Sequence, residues 1–538
     1  MGEKGAGITV ALSDLVTAEF RGKKYDTEFP LSLDLLESFL RQNGIEHIDY
    51  AFLPWLTTQR EMIQNGQRLF TLGMDGQEPF PVSQARLLGI NMMNYLQAPA
   101  LFTLLELAGI PVFRQDRSSE FPLIILGGHI WPNPLPLSDF YDVMVAGEGE
   151  ETLCQITELT RYLGGNKDQL LRAIAKLKGV YVPGYTQQPI QRVQIDYPDP
   201  IYPTGNLHVR SRVGAVVLSR GCPFSCAFCN NQLVGGQYRL KPYNQVIRHI
   251  DWLKQQGVEK VILVAASVSS YQSEGKTALD IMTYIRHQGL AVKGISDRPE
   301  RYTPEYLRIS TQETGKVIIA PEVSPRIRKD ILRKTISEEI LMEAVSAAIE
   351  AGVNRIQLYV ILAIPSISPG VVEFLPGGFA GEQPEDIRYL AELGMAIASR
   401  MQQAGLEKPA GKPYVLFDCM PFIPAIGSSM QRVRFPSYAE FQLRLSQLSA
   451  LITAVYRGLV DVSPGMDKLT HLLQAFLERS DARAGRAVWR AWKRTWPDSL
   501  QADDLEDAIA DAGYNLDELS SEYLANDLPY TGLIEGIS

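Results

Sequence analysis

The chain has 538 residues, with 52 Lys and Arg against 61 Asp and Glu and a formal charge of −9. With 45% apolar and 21% charged residues, it is neither collagenous, disordered nor a disulfide miniprotein, and the length suggests roughly three or four domains. An acidic chain with a mean hydropathy of −0.07 and no apolar run near the roughly 18 residues of a membrane helix is expected to take neither duplex nucleic acid nor a membrane as partner. The N-terminal Met-Gly-Glu-Lys-Gly-Ala has no apolar secretory segment, so a cytoplasmic location is expected. Ile8 to Leu12 reads as a buried strand. Pro30 to Asn43 reads as a helix with Leu31, Leu35, Leu36, Phe39 and Leu40 on one face and Gly44 just past its end. Strands are expected at His47 to Leu53, Arg86 to Asn91, Leu123 to Leu126 and Val143 to Ala146, with a helix from Pro99 to Gly109. This alternation implies an open parallel sheet with ligands at the carboxyl ends of its strands.

Tyr181 to Thr204 is rich in Pro and Tyr, lacks periodicity and reads as a linker over the surface. From Arg212 the alternation resumes. Strands are expected at Gly214 to Leu218, Val258 to Ala265, Val292 to Ile295, Lys316 to Ala320, Arg355 to Ile364 and Tyr414 to Phe417. Helices at Asn244 to Gly257 and Glu338 to Gly352 lie among them. Six such units suit an open, partial barrel. After Pro436 the strand signal disappears, and Tyr438 to Tyr456, Asp467 to Arg479 and Arg483 to Trp496 read as helices. Trp489, Trp492 and Trp496 share one helical face, which reads as a packing stripe. The tail after Arg494 has acids and no Lys or Arg, the pattern of a solvated face.

Five cysteines are present: Cys154, Cys222, Cys226, Cys229 and Cys419. An odd number without an export signal argues against a disulfide framework. Three of them fall in Ser219-Arg220-Gly221-Cys222-Pro223-Phe224-Ser225-Cys226-Ala227-Phe228-Cys229-Asn230, directly after a buried strand. Three soft thiolates in one short loop suit three irons of a 4Fe–4S cube and leave the fourth open. A structural zinc site and plain buried thiols are the alternatives. Zinc wants a fourth nearby ligand, and the nearest downstream histidine, His249, is roughly twenty residues on.

This CxxxCxxC segment, with Phe228 before its last cysteine, resembles the motif of the radical S-adenosylmethionine (radical SAM) superfamily. The resemblance implies a 4Fe–4S cluster on Cys222, Cys226 and Cys229, with S-adenosylmethionine (SAM) on the fourth iron. One electron then cleaves SAM to methionine and a 5′-deoxyadenosyl radical. Ile319 to Arg328, with Ala320-Pro321-Glu322 and Ser324, is similar to a strand end of one branch, which implies that Glu322 faces SAM. Arg355 to Pro365 resembles the fifth barrel strand, but Ala363-Ile364-Pro365-Ser366-Ile367 lacks the glycines and the acid usual there. Ala265-Ala266-Ser267 stands where Gly-Gly-Glu is often found, so Ser267 is expected to offer a backbone contact to the methionine amino group. Phe228 is counted with these SAM contacts.

Leu126-Gly127-Gly128-His129, followed by Asp142-Val143-Met144-Val145-Ala146-Gly147-Glu148-Gly149-Glu150, resembles the cobalamin-binding-type domain upstream of many radical SAM enzymes. It implies cobalamin contacts at Asn94, Gly127, Gly128, His129, Gly147, Glu148 and Gly149, in a cleft of strand ends near Leu12 to Leu15, Asn91 to Leu96, Gly127 to Trp131 and Gly147 to Glu150. The glycines would let the backbone approach a large flat ligand. His129 has three open readings: a strand-end hydrogen bonder, a cobalamin contact or a metal ligand. Asp14 is followed by Leu15 and Val16, without the histidine of the base-off pattern, so no histidine ligand to cobalt is expected there. Phe476 to Arg494 and Asn526 to Tyr530 resemble the C-terminal extension of the same group.

The resemblance implies an α/β chain of four parts: a Rossmann-like, cobalamin-binding-type domain over 1–184, a linker over 185–211, a radical SAM partial (β/α)6 barrel over 212–435, and a C-terminal helical domain with acidic tail over 436–538. The implied activity is cobalamin-dependent C-methylation of a small-molecule or peptide substrate, fed by a reductant such as flavodoxin or ferredoxin. Cyclisation, ring contraction or another rearrangement without methyl transfer uses the same equipment. A methylthiotransferase needs a second cluster, for which Cys154 and Cys419 cannot supply three thiolates. A non-catalytic relative, favoured by the altered second and fifth strand ends, is opposed by the intact cysteine triplet.

Overall fold

The computed structural model describes residues 8–15, 31–73, 77–195, 212–293, 297–516, 520–522 and 528–534. Its contacts divide the chain into two units, Met1–Ser211 with Leu472–Leu516 and Asn526–Ser538, and Arg212–His471 with Asp517–Ala525. Residues 436–538, expected as one C-terminal domain, are therefore shared between them. Among the described residues no helix is long and apolar enough to cross a membrane.

In the first unit β1 (Val10–Asp14), α1 (Leu31–Gln42), β2 (Ile48–Tyr50), α2 (Leu56–Gln64), β3 (Leu87–Met92), α3 (Ala98–Ala108), β4 (Leu123–Gly128), β5 (Val143–Val145), α4 (Glu150–Leu163), α5 (Lys167–Ile174) and β6 (Val180–Tyr181) follow in turn. The sheet order is β2-β1-β3-β4-β5-β6, parallel except for β5 against β6. Connections leave β1 in opposite directions, so the switch point lies between β1 and β3, where such sheets bind ligands. β1 is buried along its whole length, which is why it reads as an unbroken apolar run. One expectation needs correcting. On α1, Leu31, Leu35, Leu36 and Phe39 are only half-buried, and the fully buried side includes Leu33, Asp34, Glu37 and Leu40. The buried Tyr50 hydroxyl donates to Glu37, and Arg41 Nε bonds the same carboxylate at 2.7 Å. The carboxylates are thus partnered, the condition for burying charge.

The second unit carries seven parallel strands among its described residues. β7 (Val213–Val217), β10 (Lys260–Val264) and β13 (Ala291–Val292) form one sheet in the order β13-β10-β7. β14 (Lys316–Glu322), β15 (Arg355–Leu362), β16 (Val415–Pro421) and β17 (Val460–Pro464) form the other. Between β7 and β10, the short strands β8 (Ser219–Arg220) and β9 (Arg239–Leu240) pair antiparallel around α6 (Asn231–Val234), and α7 (Tyr243–Gln255) follows. Further on, β11 (Gln272–Ser273) and β12 (Lys276–Thr277) make a small hairpin. α8 (Ala278–His287), α9 (Pro304–Ser310), α10 (Pro325–Asp330), α11 (Glu338–Glu350), α12 (Pro384–Gln403) and α13 (Tyr438–Leu451) complete the unit. No ladder joins β13 to β14 among the described residues, so the barrel is open. The expected end of β13, Ile295, lies outside the described residues. β17 corrects the expectation that strands end before Pro436. Its Val460-Asp461-Val462-Ser463-Pro464 pairs residue for residue with Val415 to Cys419.

The chain then returns to the first unit through α14 (Lys468–Arg479), α15 (Ala482–Thr495) and α16 (Ala502–Asp511). Trp492 packs on Phe102 with ring centroids 5.6 Å apart, and Trp489 on Phe113 at 4.7 Å. The tryptophan stripe is a packing surface. Gly485 seats α15 against the Pro136 carbonyl, where a Cβ would come within 1.8 Å of the oxygen. The expected linker is part structure. Gln191 to Ile195 lies along the end of β5, with Gly147 bridged to Val193; residues 196–211 lie outside the described residues.

Candidate functional site

The cysteine loop leaves the carboxyl end of β7. Its base is closed by the β8–β9 pair, and Gly221 turns it at φ +71°, where a Cβ would meet the Gly236 and Gln237 carbonyls at 2.5 Å. Only glycine fits there. Inside the loop, Cys229 N–H donates to the Cys226 carbonyl at 3.1 Å, and Ala227 N–H to the Leu332 carbonyl at 2.8 Å. Phe228 packs on an apolar cluster that includes Ala227, Val323, Ile327, Ile364 and Phe422.

Each thiol of the triplet has a donor aimed at its sulfur. The Phe224 amide and the Asn231 side chain serve Cys222, the Asn231 amide serves Cys229, and Arg298 Nη1 lies 3.4 Å from Cys226 Sγ. Burial nonetheless pushes the Cys222 and Cys229 thiols up. A bound metal reverses that cost, because a coordinated thiol is deprotonated outright. Among the described residues no three His, Cys, Asp or Glu side chains gather on a point that one ion could take. A cube does not ask for that, since its thiolates bind different irons. Donor set, N–H partners and a nearby cation fit a cluster.

The neighbouring strand ends converge on this loop. After β10, Ser267 is 1% exposed and its hydroxyl donates to Asp297 Oδ1 at 2.8 Å. Its side chain is thus engaged inward. Asp297 also accepts from the Ser269 amide and hydroxyl, the Arg298 amide and the Tyr306 hydroxyl, and burial pushes its carboxyl up. At the end of β14 the register slips between Ile319 and Glu322, and Glu322 takes φ +61°. Bulges and left-handed non-glycine residues of this kind cluster at functional sites. The Glu322 carboxylate bonds Lys334 Nζ at 2.7 Å, Lys334 holds the Ala320 carbonyl at 2.8 Å, and the Glu322 charge reaches Cys229. Ala363, past β15, is left-handed too, at φ +62°. Its N–H donates at 2.9 Å to Glu382, which burial pushes up to about 8. Glu382 lies nineteen positions further along the chain and also pairs with Arg444 at 3.3 Å.

In the first unit, Asp14 and Asn91 end β1 and β3 and meet at the switch point, Asn91 Nδ2 to Asp14 Oδ2 at 2.7 Å. Asn94 is exposed, but its side chain caps the turn at Tyr95–Gln97 by accepting from Leu96 N–H at 3.1 Å. Gly127 has open space where a Cβ would point, and His129 is exposed beside it. Two of the close-approach glycines need a different reason from the one expected. A Cβ on Gly128 (φ +99°) would stand 2.1 Å from the Met92 carbonyl, and one on Gly147 (φ +94°) 2.3 Å from the Val193 carbonyl. Both admit the protein's own backbone. Glu148 bonds the Ile195 amide at 2.6 Å and Arg192 at 3.3 Å, and Gly149 caps α4. The loop after β1, including Val16, lies outside the described residues.

Sequence reasoning missed Asp297, Arg298, Lys334, Glu382 and Asn133. The polar run Ser296-Asp297-Arg298-Pro299-Glu300 after an expected strand was a usable signal for the first two. Asn133 holds the end of α14, donating to the Glu478 and Ser480 carbonyls at 3.1 and 2.9 Å, a pairing between residues 347 apart that no local pattern shows.

Comparison with known proteins agrees with this layout. Residues 33–183 match the family described as Radical SAM proteins, N-terminal, and residues 216–375 the Radical SAM superfamily. An uncharacterized protein of Methanocaldococcus jannaschii is 24% identical over 47% of this chain and 54% of its own length. The ribosomal protein uS12 methylthiotransferase RimO of Carboxydothermus hydrogenoformans is 26% identical over 33% of this chain and 39% of its own. The chain therefore spans about half or less of these curated relatives. The radical S-adenosylmethionine methyltransferase TsrM of Kitasatospora setae, solved with cobalamin and a [4Fe-4S] cluster, shares the fold at a TM-score of 0.54 and 14% identity, over 94% of this chain and 99% of that one.

Proposed function

Because the chain belongs to the radical SAM superfamily, we propose that it is an enzyme holding a 4Fe–4S cluster on Cys222, Cys226 and Cys229, with SAM beside it and cobalamin at the strand ends of the first unit. The observation that carries this reading is the cysteine loop, three thiols each met by an N–H donor at the end of β7. The cluster supplies a single electron for reductive cleavage of SAM, and cobalamin supplies methyl-transfer chemistry. The chain's own residues do the rest. Glu322, locked by Lys334 near Cys229, offers a carboxylate to the SAM amino group or ribose. Ser267, with its side chain engaged by Asp297, offers main chain, and Phe228 supports the loop from its apolar side. Gly127, Asn94 and His129 border the cobalamin, while Gly128, Gly147, Glu148 and Gly149 shape the strand ends around it.

C-methylation of a small-molecule or peptide substrate is the simplest use of this set, with a low-potential protein such as flavodoxin or ferredoxin as donor. The TsrM likeness supports it over rearrangement, because that protein is named a methyltransferase and holds both groups. Methylthiolation, the activity in the RimO name, asks for a second cluster, and the two other cysteines, Cys154 on α4 and Cys419 in β16, are too few to supply three further thiolates. The test is anaerobic purification with iron, sulfide and corrinoid analysis. Brown protein that cleaves SAM under reductant and takes up cobalamin is expected. Its cob(II)alamin spectrum in electron paramagnetic resonance should show no imidazole nitrogen splitting. Iron without any cobalamin uptake would remove the methyltransferase reading and leave a radical SAM enzyme.

A further inference from the structure

Arg298 follows the third barrel strand and makes three contacts at once. Its Nη1 lies 3.4 Å from Cys226 Sγ, its guanidinium carbon stands 3.7 Å from the centroid of the Phe224 ring, and its Nε bonds Glu300 Oε1 at 2.7 Å. The Arg298 and Glu300 side chains are only 12% and 22% exposed. A cation largely withdrawn from water is thus held against the middle cysteine of the triplet. The hold begins in the backbone, where the Arg298 amide donates to Asp297 Oδ1 at 2.7 Å and Asp297 is fixed by Ser267, Ser269 and Tyr306. An arginine normally loses rotamer freedom on forming such a contact; here the fold has already removed it.

Against a neutral thiol this placement gains little, because the cation gives up hydration for a weak acceptor. Against a thiolate it makes a charge-assisted hydrogen bond, roughly twice as strong as a neutral one. We infer that Arg298 acts through Cys226 on the redox balance of the cluster, stabilising its reduced form and raising its reduction potential. This rests on the reading that the three cysteines hold a cube. In the step concerned, one electron passes from a low-potential flavin or iron–sulfur donor protein to the cluster. The donor is oxidised by one, the cluster is reduced by one, and no proton moves. The cluster gains one negative charge, which the guanidinium offsets in a site of low dielectric. Hydrogen bonds to the sulfurs and net charge are among the levers that set such potentials.

The test is a potentiometric titration of the reconstituted full-length protein, with dithionite and mediators, read by electron paramagnetic resonance beside iron and sulfide analysis. Arg298→Gln is expected to keep its iron and to lower the reduced-to-oxidised ratio at a given poise about tenfold, ~59 mV more negative for a one-electron couple. Glu300→Gln removes the counter-anion and leaves the cation, so its potential should move the other way. An unmoved potential in iron-replete Arg298→Gln overturns the inference. Should that variant lose iron, Glu300→Gln decides in its place: a positive shift upholds the electrostatic role, and no shift or a negative one overturns it. Wild-type protein without iron overturns the cluster reading itself, an outcome distinct from a replete cluster whose potential ignores both substitutions.

Discussion

Cys154 and Cys419 differ from the loop thiols in their surroundings. Burial pushes Cys154 on α4 up to about 11 and raises Cys419, inside β16, further still. Neighbouring acids reinforce both shifts, whereas hydrogen-bond donors oppose burial at Cys222 and Cys229, so the loop favours thiolates and the other two positions disfavour them. Cys222→Ala, Cys226→Ala and Cys229→Ala should each abolish the cluster, while Cys154→Ala and Cys419→Ala keep full iron and sulfide. Full iron in any of the first three, or its loss in both of the others, sinks the assignment. The glycines of the first unit separate in the same way. Gly128→Val drives a side chain into the Met92 carbonyl and should lower the melting temperature by several degrees, whatever the ligand. Gly127→Val meets open space. It should fold like wild type, while cobalamin uptake, measured by absorbance after gel filtration, falls at least tenfold. Unchanged uptake in that variant would place the corrin elsewhere.

α14 carries a histidine whose burial is visible only in the folded chain. His471 is 1% exposed, between the rings of Phe435 and Tyr438, each centroid 5.9 Å away. Burial pushes it down to about 4. The unfolded chain binds this proton near pH 6.5 and the native chain only near pH 4. Between those values the unfolded state holds more protons, so stability is lost as pH falls through the window and is fully present above it. The loss is roughly 3 kcal/mol when the whole window is crossed. His471→Phe should remove it. Urea midpoints at pH 7 and pH 4.5 measure the difference, and an equal acid loss in variant and wild type would refute the assignment. β17 shows the opposite kind of concealment. Val460-Asp461-Val462-Ser463-Pro464 is too short and polar to announce a strand, and its pairing with β16 decides it.

At the scale of the chain, the first unit is completed from far downstream. Phe102 and Phe113 receive Trp492 and Trp489, and Asn133 secures the end of α14. Residues 1–211 expressed alone should therefore lack a cooperative melt and bind a hydrophobic dye, as loosely packed states do. A sharp transition in that fragment would show that the C-terminal helices are dispensable.

Residue pattern alone revealed the α/β alternation and the cysteine triplet after the first strand of the second unit. These are local facts, since hydrophobic period follows element type and ligand spacing lies within one loop. The acids in the buried face of α1 escaped because Tyr50, which bonds them from inside, comes from another element. The backbone that crowds Gly128 and Gly147 belongs to β3 and to the supposed linker, so their close approach is to protein. Which cysteine sulfur faces a cation emerges on folding, because Arg298 lies 72 residues from Cys226. The same holds for the bond from Ala363 N–H to Glu382 past the end of β15. Contacts between distant segments depend on how strand ends converge, and no window of sequence contains that geometry.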